Sequence, residues 1–287
     1  MSGLDLTGAN LSEARLEGAE LANATLTGAN FSSAHLDKAD LTGVQAQGAN
    51  FLNASLQGAD LKGAQLQFAD FSSAAMQGVI LNFAQLQAAV LRDASLEGAS
   101  LQRAKLQGAD LTGMKMAGTD LRGATVWMTQ PPEWDSTGLS DLSEFAIRPL
   151  DEGEQTAVKN AVKRLSDEDA LARAQEKIAP LVAKTDTWTG SGDQLRWQSW
   201  LGASPPPPAD TYTFGLTSFL TKLMCSPRWS NGSIATGVAR RAVAQDFRGN
   251  VVTVYDNLRV GSCPASKTTS PEVMRDLSSR AEWVRNQ

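Results

Sequence analysis

Residues 29–51 read ANFSSAHLDKADLTGVQAQGANF and repeat a five-residue unit without a break. An apolar residue, here called the centre, stands at every fifth position from Leu6 to Val126. The residue two positions before a centre is alanine in 20 of 25 units, and the glycines of this region occupy the place two positions after a centre or the equivalent place. No proline interrupts residues 1–126. Repetition this strict decides the fold of the first part of the chain.

A period of five suits neither a helix nor a continuous strand, because successive centres would not share one face. The chain must therefore turn once per unit, with glycine at the corner where the backbone needs a positive φ. Phe31, Phe51 and Phe71 recur at a spacing of 20, which predicts that four units close a square coil. With coils spaced like neighbouring strands, residues 1–126 would form about six coils and a rod about 30 Å long.

The units Ala9-Asn10-Leu11, Ala39-Asp40-Leu41 and Ala109-Asp110-Leu111 resemble those of the pentapeptide repeat family, which read A-(D/N)-L-x-x. The resemblance covers residues 1 to about 126. It implies a right-handed quadrilateral β-helix. It implies little about activity, since the residues that the family shares are structural.

The composition changes after residue 126, where all seven Trp, both Tyr, both Cys and all 11 Pro are found. The predicted organisation is a β-helix over 1–128, a linker and end cover over 129–149, and a mainly α-helical domain over 150–287 with a proline-rich connector at 204–209. An exposed coil end would leave strand edges unpaired, so the segment that follows is expected to cover the C-terminal end of the β-helix, with Trp127 and Met128 placed to contribute.

Apolar spacing and capping residues in the second half predict several helices. The predicted spans are 150–165, Ser166 to Leu181, 193–201, 211–224, 233–247 and 271–285. Val251 to Leu258 alternates β-branched residues and is predicted to be a strand or an extended arm. The segment Leu220 to Ala242 resembles the helical tails of large bacterial membrane-associated pentapeptide repeat proteins.

Charge and cysteine content narrow the setting of the protein. Residues 1–126 carry eight basic and twelve acidic residues, a net charge of −4, and the remainder carries 18 and 19, a net charge of −1. Neither part is basic enough to indicate nucleic-acid binding. No apolar run is long enough to span a membrane. With no visible signal peptide, we expect a cytoplasmic protein whose Cys225 and Cys263 are reduced thiols, although the two could pair.

No residue pattern indicates a catalytic, cofactor-binding or metal site. His35 is the single histidine and has no ligand-type neighbours at metal-binding spacing, so we expect a solvated surface residue. A nucleophilic Cys225 would lack a positioned base, and Gly190-Ser191-Gly192 lacks the rest of a phosphate-binding motif. Three tryptophans could stack on a ligand, although packing of the helical domain is the commoner role. They are Trp188, Trp197 and Trp200.

The outer surface of the rod departs from the repeat between residues 68 and 90. Phe68, Ile80, Phe83 and Val90 occupy outward or corner positions that are polar or glycine in other coils. An apolar patch there would be costly unless covered. The C-terminal helices could fold back on it, or it could dock another chain or a second copy.

These observations predict a non-enzymatic protein–protein interaction scaffold, as the soluble part of a membrane-associated or larger bacterial assembly. A DNA-mimic modulator of a topoisomerase such as gyrase is an alternative, although a net charge of −4 is small for mimicry. A secreted bacterial effector and an enzyme in the helical half are further alternatives. The expected partner is an unidentified protein and not nucleic acid, while the oligomeric state and membrane association through an assembly stay open.

Overall fold

The computed structural model describes residues 3–132, 142, 144–165, 168–183, 191–203, 221–222, 224–225, 236–238, 248–259 and 263–286. The helices predicted over 211–224 and 233–247 lie mostly outside these residues. The connector at 204–209 and the expected N-cap Ser166 also lie outside them.

Residues 5–130 form a right-handed quadrilateral β-helix whose coils are held by backbone pairing. The outward residue of each unit forms a parallel bridge with the outward residue 20 positions later, from Asp5 with Thr25 to Asp110 with Gln130. The N–H of Leu26, for example, donates to the Gln45 carbonyl oxygen at 2.6 Å. The square coil of 20 residues predicted from the phenylalanine spacing is therefore confirmed.

The β-helix has four walls, which we number by their outward residues in steps of 20. Wall 1 runs from Asp5 to Thr125, wall 2 from Asn10 to Gln130, wall 3 from Arg15 to Lys115 and wall 4 from Glu20 to Asp120. The corner that joins walls 1 and 2 is called corner 1/2 and carries residues 8 to 128, in steps of 20. In the same way, corner 2/3 carries residues 13 to 113, corner 3/4 carries residues 18 to 118, and corner 4/1 carries residues 3 to 123. Each of these corner residues has a positive φ, including Phe68 at 63° and Phe83 at 62°.

The interior of the β-helix is a continuous apolar core. The centres and the small residues that precede them are buried from Leu21 to Val126. Phe31, Phe51 and Phe71 stack as predicted, with ring centroids 5.1 and 4.7 Å apart and planes within 3° of parallel. Interior side chains therefore build the fold, and contacts with other elements fall to the outward and corner residues.

The C-terminal end of the β-helix is extended and then covered. Strand β1 (Thr125–Val126) pairs in parallel with β2 (Ala146–Ile147), which continues wall 1 by one strand. Helix α3 (Gly192–Ala203) then places Trp197 against the core, where the side chain is fully buried. Its indole N–H donates to the Thr129 carbonyl oxygen at 3.0 Å.

Residues of the segment 129–149 and of α3 lie at this end. The ring of Phe145 lies 5.1 Å from that of Trp197, and these two residues close the apolar end. Trp127 and Met128 pack against the core but are only half-buried. They lie at corner 1/2, beside this end. Trp197 has a packing role, the commoner of its two predicted roles, but it packs in the core of the β-helix and not within the helical domain.

The remaining helices follow local signals in the sequence. They are α1 (Glu152–Arg164), α2 (Glu168–Val182), α4 (Arg248–Arg259) and α5 (Pro271–Arg285), with a 3-10 turn at Pro264–Lys267. Asp151 and Glu154 form a capping box at the start of α1, and the Ser270 hydroxyl accepts from the Val273 N–H at the start of α5. No helix within the described ranges is long and apolar enough to cross a lipid bilayer.

The strand or extended arm predicted over Val251 to Leu258 is wrong, because these residues belong to α4. Val251, Val254 and Leu258 are spaced by three and four residues, and all three are buried in one cluster with Leu277 of α5. The β-branched residues thus gave an ambiguous signal, which packing against a neighbouring helix decided in favour of a helix.

The expectation of reduced cysteines is also wrong. Cys225 and Cys263 form a disulfide, with Cα atoms 4.7 Å apart, within the cluster built by α4 and α5. The residues are 38 apart in the sequence, so only the fold brings them together. Disulfides persist mainly in oxidising compartments, and the bond removes the basis for predicting a cytoplasmic protein.

Candidate interaction surfaces

Corner 1/2 holds an α-helical hairpin formed by α1 and α2. Phe68 and Ala88 at this corner are buried in one cluster with apolar residues of both helices. Leu165 and Ala170 close over Gly48, leaving no room there for a side chain. Leu181 closes over Gly108 in the same way. The hairpin therefore spans the coils from residue 48 to residue 108.

The two contacts of α2 with corner 1/2, Ala170 at Gly48 and Leu181 at Gly108, show how the helix lies on the β-helix. Gly48 and Gly108 are three coils apart, which is about 14 Å at the spacing of neighbouring strands. Ala170 and Leu181 are eleven residues apart, which is about 16 Å along a helix. The two lengths agree, so α2 runs along the corner nearly parallel to the long axis.

Helix α1 runs in the opposite direction and is fixed to wall 1 at both ends. Near its start, the Glu154 carboxylate lies 3.1 Å from the Lys105 ammonium. Near its end, the Arg164 guanidinium donates to the Gln45 side-chain oxygen at 3.0 Å. Lys105 and Gln45 both belong to wall 1, three coils apart. Outward side chains of the β-helix thus act as polar attachment points.

Glu154 is the centre of the strongest polar network at this surface. Its buried carboxylate accepts from both terminal nitrogens of Arg148, at 2.7 and 2.8 Å, and from the Asp151 N–H at 3.0 Å. Burial alone would raise the pKa of Glu154. The hydrogen bonds from Arg148, Asp151 and Lys105 outweigh it and lower the pKa to about 2. The group is ionised at neutral pH and holds α1 on wall 1.

A row of glutamines lies beneath the hairpin, one position before the corner residues. The Gln47 amide donates to Gln65, and the Gln67 amide donates to Gln85, both at 2.8 Å. The equivalent partner for Gln87 would be Lys105, whose ammonium is a donor and pairs with Glu154 instead. The buried Gln87 amide accordingly has no hydrogen-bond partner in the described part of the chain. The corner thus keeps a polar residue where the hairpin offers only apolar contacts.

A second set of contacts lies at corner 3/4, diagonally opposite the hairpin. Gly237 packs directly on the backbone of Gly58 and Gly78, where any larger residue would clash. Nearby, the start of α5 and Thr236 face the β-helix across a cavity of about 560 Å³. Glu20, Lys38 and Asp40 line its β-helix side. Two opposite corners therefore carry helical segments of the same chain.

The four residues predicted as one interaction surface lie on different sides of the β-helix. Phe68 is buried at corner 1/2, Ile80 is buried on wall 4, and Val90 is half-buried on wall 2. Residues 68 to 90 span more than one coil, so the chain distributes them around the perimeter. For Phe68 the structure agrees with the alternative in which C-terminal helices cover the apolar residue.

Phe83 remains accessible at corner 4/1, between the two helix-bearing corners. Its side chain is 47% exposed. The Arg103 guanidinium, one coil further along the same corner, lies 5.8 Å from the ring centroid. An aromatic ring with an adjacent cation is a common contact type in protein interfaces. Of the four predicted residues, Phe83 is the one that the fold leaves open to a partner.

The other candidates take simple structural places. His35 is exposed on wall 3, and no group of potential metal ligands occurs among the described residues. Trp188 and Gly190 lie outside those residues. Sequence reasoning missed Glu154 and the packing of Trp197 on the end of the β-helix, although the capping box at Asp151 pointed to a fixed Glu154.

The repeated region matches the family model described as "Pentapeptide repeats", in eight copies over residues 5–43, 47–82 and 84–123. Trypsin-treated QnrB1, a plasmid-mediated fluoroquinolone resistance protein, is 22% identical, with 53% of this chain and 82% of that chain covered and a TM-score of 0.39. HetL, involved in heterocyst differentiation regulation in the cyanobacterium Nostoc sp. strain PCC 7120, is 23% identical over 52% and 82%, with a TM-score of 0.23. Alr5209 from Nostoc PCC 7120 is 33% identical over 30% and 84%, with a TM-score of 0.21. A search of curated proteins found no match.

Proposed function

Because the chain belongs to the pentapeptide repeat family through residues 5–123, we propose that it is a non-enzymatic scaffold that holds other proteins against the outside of its β-helix. The observation that carries this proposal is the docking of the α1–α2 hairpin at corner 1/2. That contact uses outward and corner residues alone, such as Phe68 and Lys105, while the inward residues build the core. The outer surface thus binds a folded segment while the inward residues of the repeat stay unchanged.

The charge of the repeats favours a protein partner over mimicry of DNA. Duplex DNA carries about one charge per 1.7 Å, so a rod of about 30 Å would need roughly 17 negative charges. Residues 1–126 have a net charge of −4. The helical segments at corners 1/2 and 3/4 also occupy two of the four corners. Both facts weigh against a topoisomerase modulator.

The Cys225–Cys263 disulfide favours the secreted alternative as the setting in which this scaffold acts. The small cluster of α4 and α5 contains this disulfide. The bond can stabilise the cluster only in a compartment where thiols are oxidised. A secreted protein meets that condition, whereas the cytosol keeps most thiols reduced. The secreted alternative differs from the scaffold proposal in the compartment where the protein acts and not in the type of activity.

The scaffold proposal is tested by capture of partners with the full-length protein from the cells that make it. We expect a protein that co-purifies at fixed stoichiometry through size exclusion and is lost in a Phe83→Glu variant. Leu52→Glu is the matched control, because Leu52 is 38% exposed at corner 2/3. A chain that elutes alone near its own 30.5 kDa, with no cross-linked partner for wild type or variants, would contradict the proposal.

A further inference from the structure

Corner 4/1 and the corner that carries the α1–α2 hairpin share one residue pattern. Under the hairpin, the residues of corner 1/2 are, in steps of 20, Gly48, Phe68, Ala88 and Gly108. At the same spacing, the residues of corner 4/1 are Gly63, Phe83, Arg103 and Gly123. Both phenylalanines have a positive φ, which large side chains seldom adopt. Each corner therefore places one projecting ring between two glycines that are three coils apart.

At corner 1/2, every member of this pattern contacts the hairpin. Phe68 and Ala88 are buried with apolar residues of both helices. The two glycines let the helices approach, because a side chain in their place would meet Leu165 at one end and Leu181 at the other. On this β-helix, a phenylalanine between two glycines is thus the surface on which an α-helix lies along the corner.

The same pattern at corner 4/1 is accessible. Phe83 and Arg103 are both exposed. A side chain added at Gly63 would meet no atom of the described residues within 4 Å. At Gly123 it would meet the Arg103 side chain at 3.1 Å and the Glu144 carboxylate at 3.9 Å. Only flexible side chains stand beside the glycines, so a helix can approach this corner as α2 approaches corner 1/2.

The docked helix α2 also matches the charge of the wall beside it. Corner 1/2 leads into wall 2, where Asp70 and Asp110 are outward residues. Lys177 of α2 lies near Asp110. Burial lowers the pKa of Lys177, and the attraction of the Asp110 carboxylate opposes that shift. A basic residue of the helix thus faces an acidic position of the β-helix.

Corner 4/1 presents positive charge instead. The wall positions that hold aspartate beside corner 1/2 hold Gln85 and Thr125 beside corner 4/1. Lys62 and Arg103 are both exposed there. One carboxylate, that of Asp60, stands next to Lys62 and accepts from its backbone N–H at 3.0 Å. A helix on corner 4/1 therefore needs acidic residues where α2 has a basic one.

We propose that corner 4/1 binds an amphipathic α-helix of another protein, with small side chains over Gly63 and Gly123 and acidic side chains beside Lys62 and Arg103. This inference rests on the proposed scaffold function and names the fold and charge of the partner. The two glycines are about 14 Å apart, a length that about ten helical residues cover. Seven residues beyond the first glycine, the helix has risen about 10 Å and is level with Arg103, two coils along.

The probe is a labelled peptide with the sequence of α2, Glu168–Val182, that carries Arg173→Glu, Lys177→Glu and Pro180→Ala. The first control peptide carries Pro180→Ala alone and keeps the basic residues. The second adds Ala174→Pro to the acidic peptide, which breaks the helix without changing its charge. By fluorescence anisotropy with the full-length protein, we expect the acidic peptide to bind at least tenfold more tightly than either control.

Variants of the protein locate the site. Lys62→Gln/Arg103→Gln should weaken binding of the acidic peptide about five- to tenfold, since two ion pairs are removed. Phe83→Gly should weaken it at least tenfold, because the ring between the two glycines is lost. Gly63→Asn should also weaken it at least tenfold, because a side chain then stands in the path of the helix. Asparagine tolerates the positive φ, as Asn53 does at another corner.

Matched control variants separate this corner from general attraction between opposite charges. Arg15→Gln/Lys115→Gln removes the same charge from exposed positions of wall 3. Gly8→Asn makes the same change at a glycine of corner 1/2 that also has no described atom within 4 Å of an added side chain. Both should leave the affinity for the acidic peptide unchanged.

Equal binding of the acidic peptide and its proline-containing control would overturn the inference, as would equal weakening by the site and control variants. It would also be overturned if the wild-type protein were a dimer that Phe83→Glu makes monomeric, because a second copy would then occupy the corner. If Phe83→Glu loses a captured partner while the acidic peptide does not bind, the scaffold proposal stands and the acidic helix is wrong.

Discussion

Replacement of Phe68 by glycine tests whether corner 1/2 is a docking surface for the α1–α2 hairpin. Phe68 has a φ of 63°, and Phe83 has a φ of 62° at corner 4/1. Glycine relieves the same left-handed strain at both positions, by about 1 kcal/mol. The two substitutions therefore differ mainly in the contacts that each ring makes.

The expected magnitudes follow from burial. Phe68 is 1% exposed, and loss of a buried phenylalanine side chain costs about 3–5 kcal/mol, so Phe68→Gly should destabilise the protein by about 2–4 kcal/mol. Phe83 is 47% exposed and loses about half of that burial, together with a weak contact to Arg103. Phe83→Gly should therefore change stability by about 1 kcal/mol or less.

Guanidinium unfolding and hydrogen exchange measure the two effects together. Exchange of the α1 and α2 amides should accelerate in Phe68→Gly and stay unchanged in Phe83→Gly, because only Phe68 contacts the hairpin. The amides of the β-helix core should stay protected in both variants. Equal destabilisation by the two substitutions, or unchanged exchange of the hairpin in Phe68→Gly, would refute the proposed packing.

Glu154→Gln should cost about 2 kcal/mol at pH 7, since hydrogen bonds to a buried charge are lost. Because the folded pKa of Glu154 is lowered to about 2, this stability is present above its ordinary pKa and should vanish as the pH falls from about 5 to 2. If the difference in thermal unfolding temperature between Glu154→Gln and wild type did not change with pH, the hydrogen-bond network proposed for Glu154 would be contradicted. Gln87→Met should raise the free energy of unfolding by about 1 kcal/mol, because a buried amide without a partner is replaced by an apolar side chain; a lower free energy of unfolding in guanidinium titration would show that the amide is satisfied. Maleimide labelling of the denatured, unreduced protein should find no free thiol, since Cys225 and Cys263 are paired, and reduction should destabilise the α4–α5 cluster by about 3–4 kcal/mol. Two reactive thiols before reduction would refute the pairing.

The β-helix could be predicted from the sequence because each five-residue unit carries the residue pattern that forms it. The spacing of Phe31, Phe51 and Phe71 predicted both the coil length and the stacking, and the helix predicted over 271–285 matches α5. Trp197 could not be placed in the same way. Its contact with Thr129 joins residues 68 apart, and no periodic signal links the two.

The sequence could not show which of the four surface residues would be covered, for a related reason. A departure from the repeat shows that a residue is unusual, but its wall or corner follows from its position within the 20-residue coil. Phe68 and Phe83 are 15 residues apart and therefore occupy neighbouring corners, 1/2 and 4/1. One corner is covered by the hairpin and the other is open. The coil length was available from the sequence, whereas the direction in which α1 and α2 return was not.

The length of the docked hairpin follows from the mismatch between a helix and a β-helix. One helical turn rises about 5.4 Å, whereas one coil rises about 4.8 Å. A helix lying along a corner therefore drifts by about 0.6 Å per coil, or roughly 2 Å over three coils. Over four successive corner positions the accumulated drift stays no larger than a methyl group. Small or flexible side chains of the helix can therefore still fit against each of these corners. Helix α2 stays within this limit: Ala170 lies over Gly48, Leu181 lies over Gly108, and the helix ends at Val182. A longer helix would need to tilt or bend, so corners of this β-helix favour partners with helices of about four turns, like the 15 residues of α2.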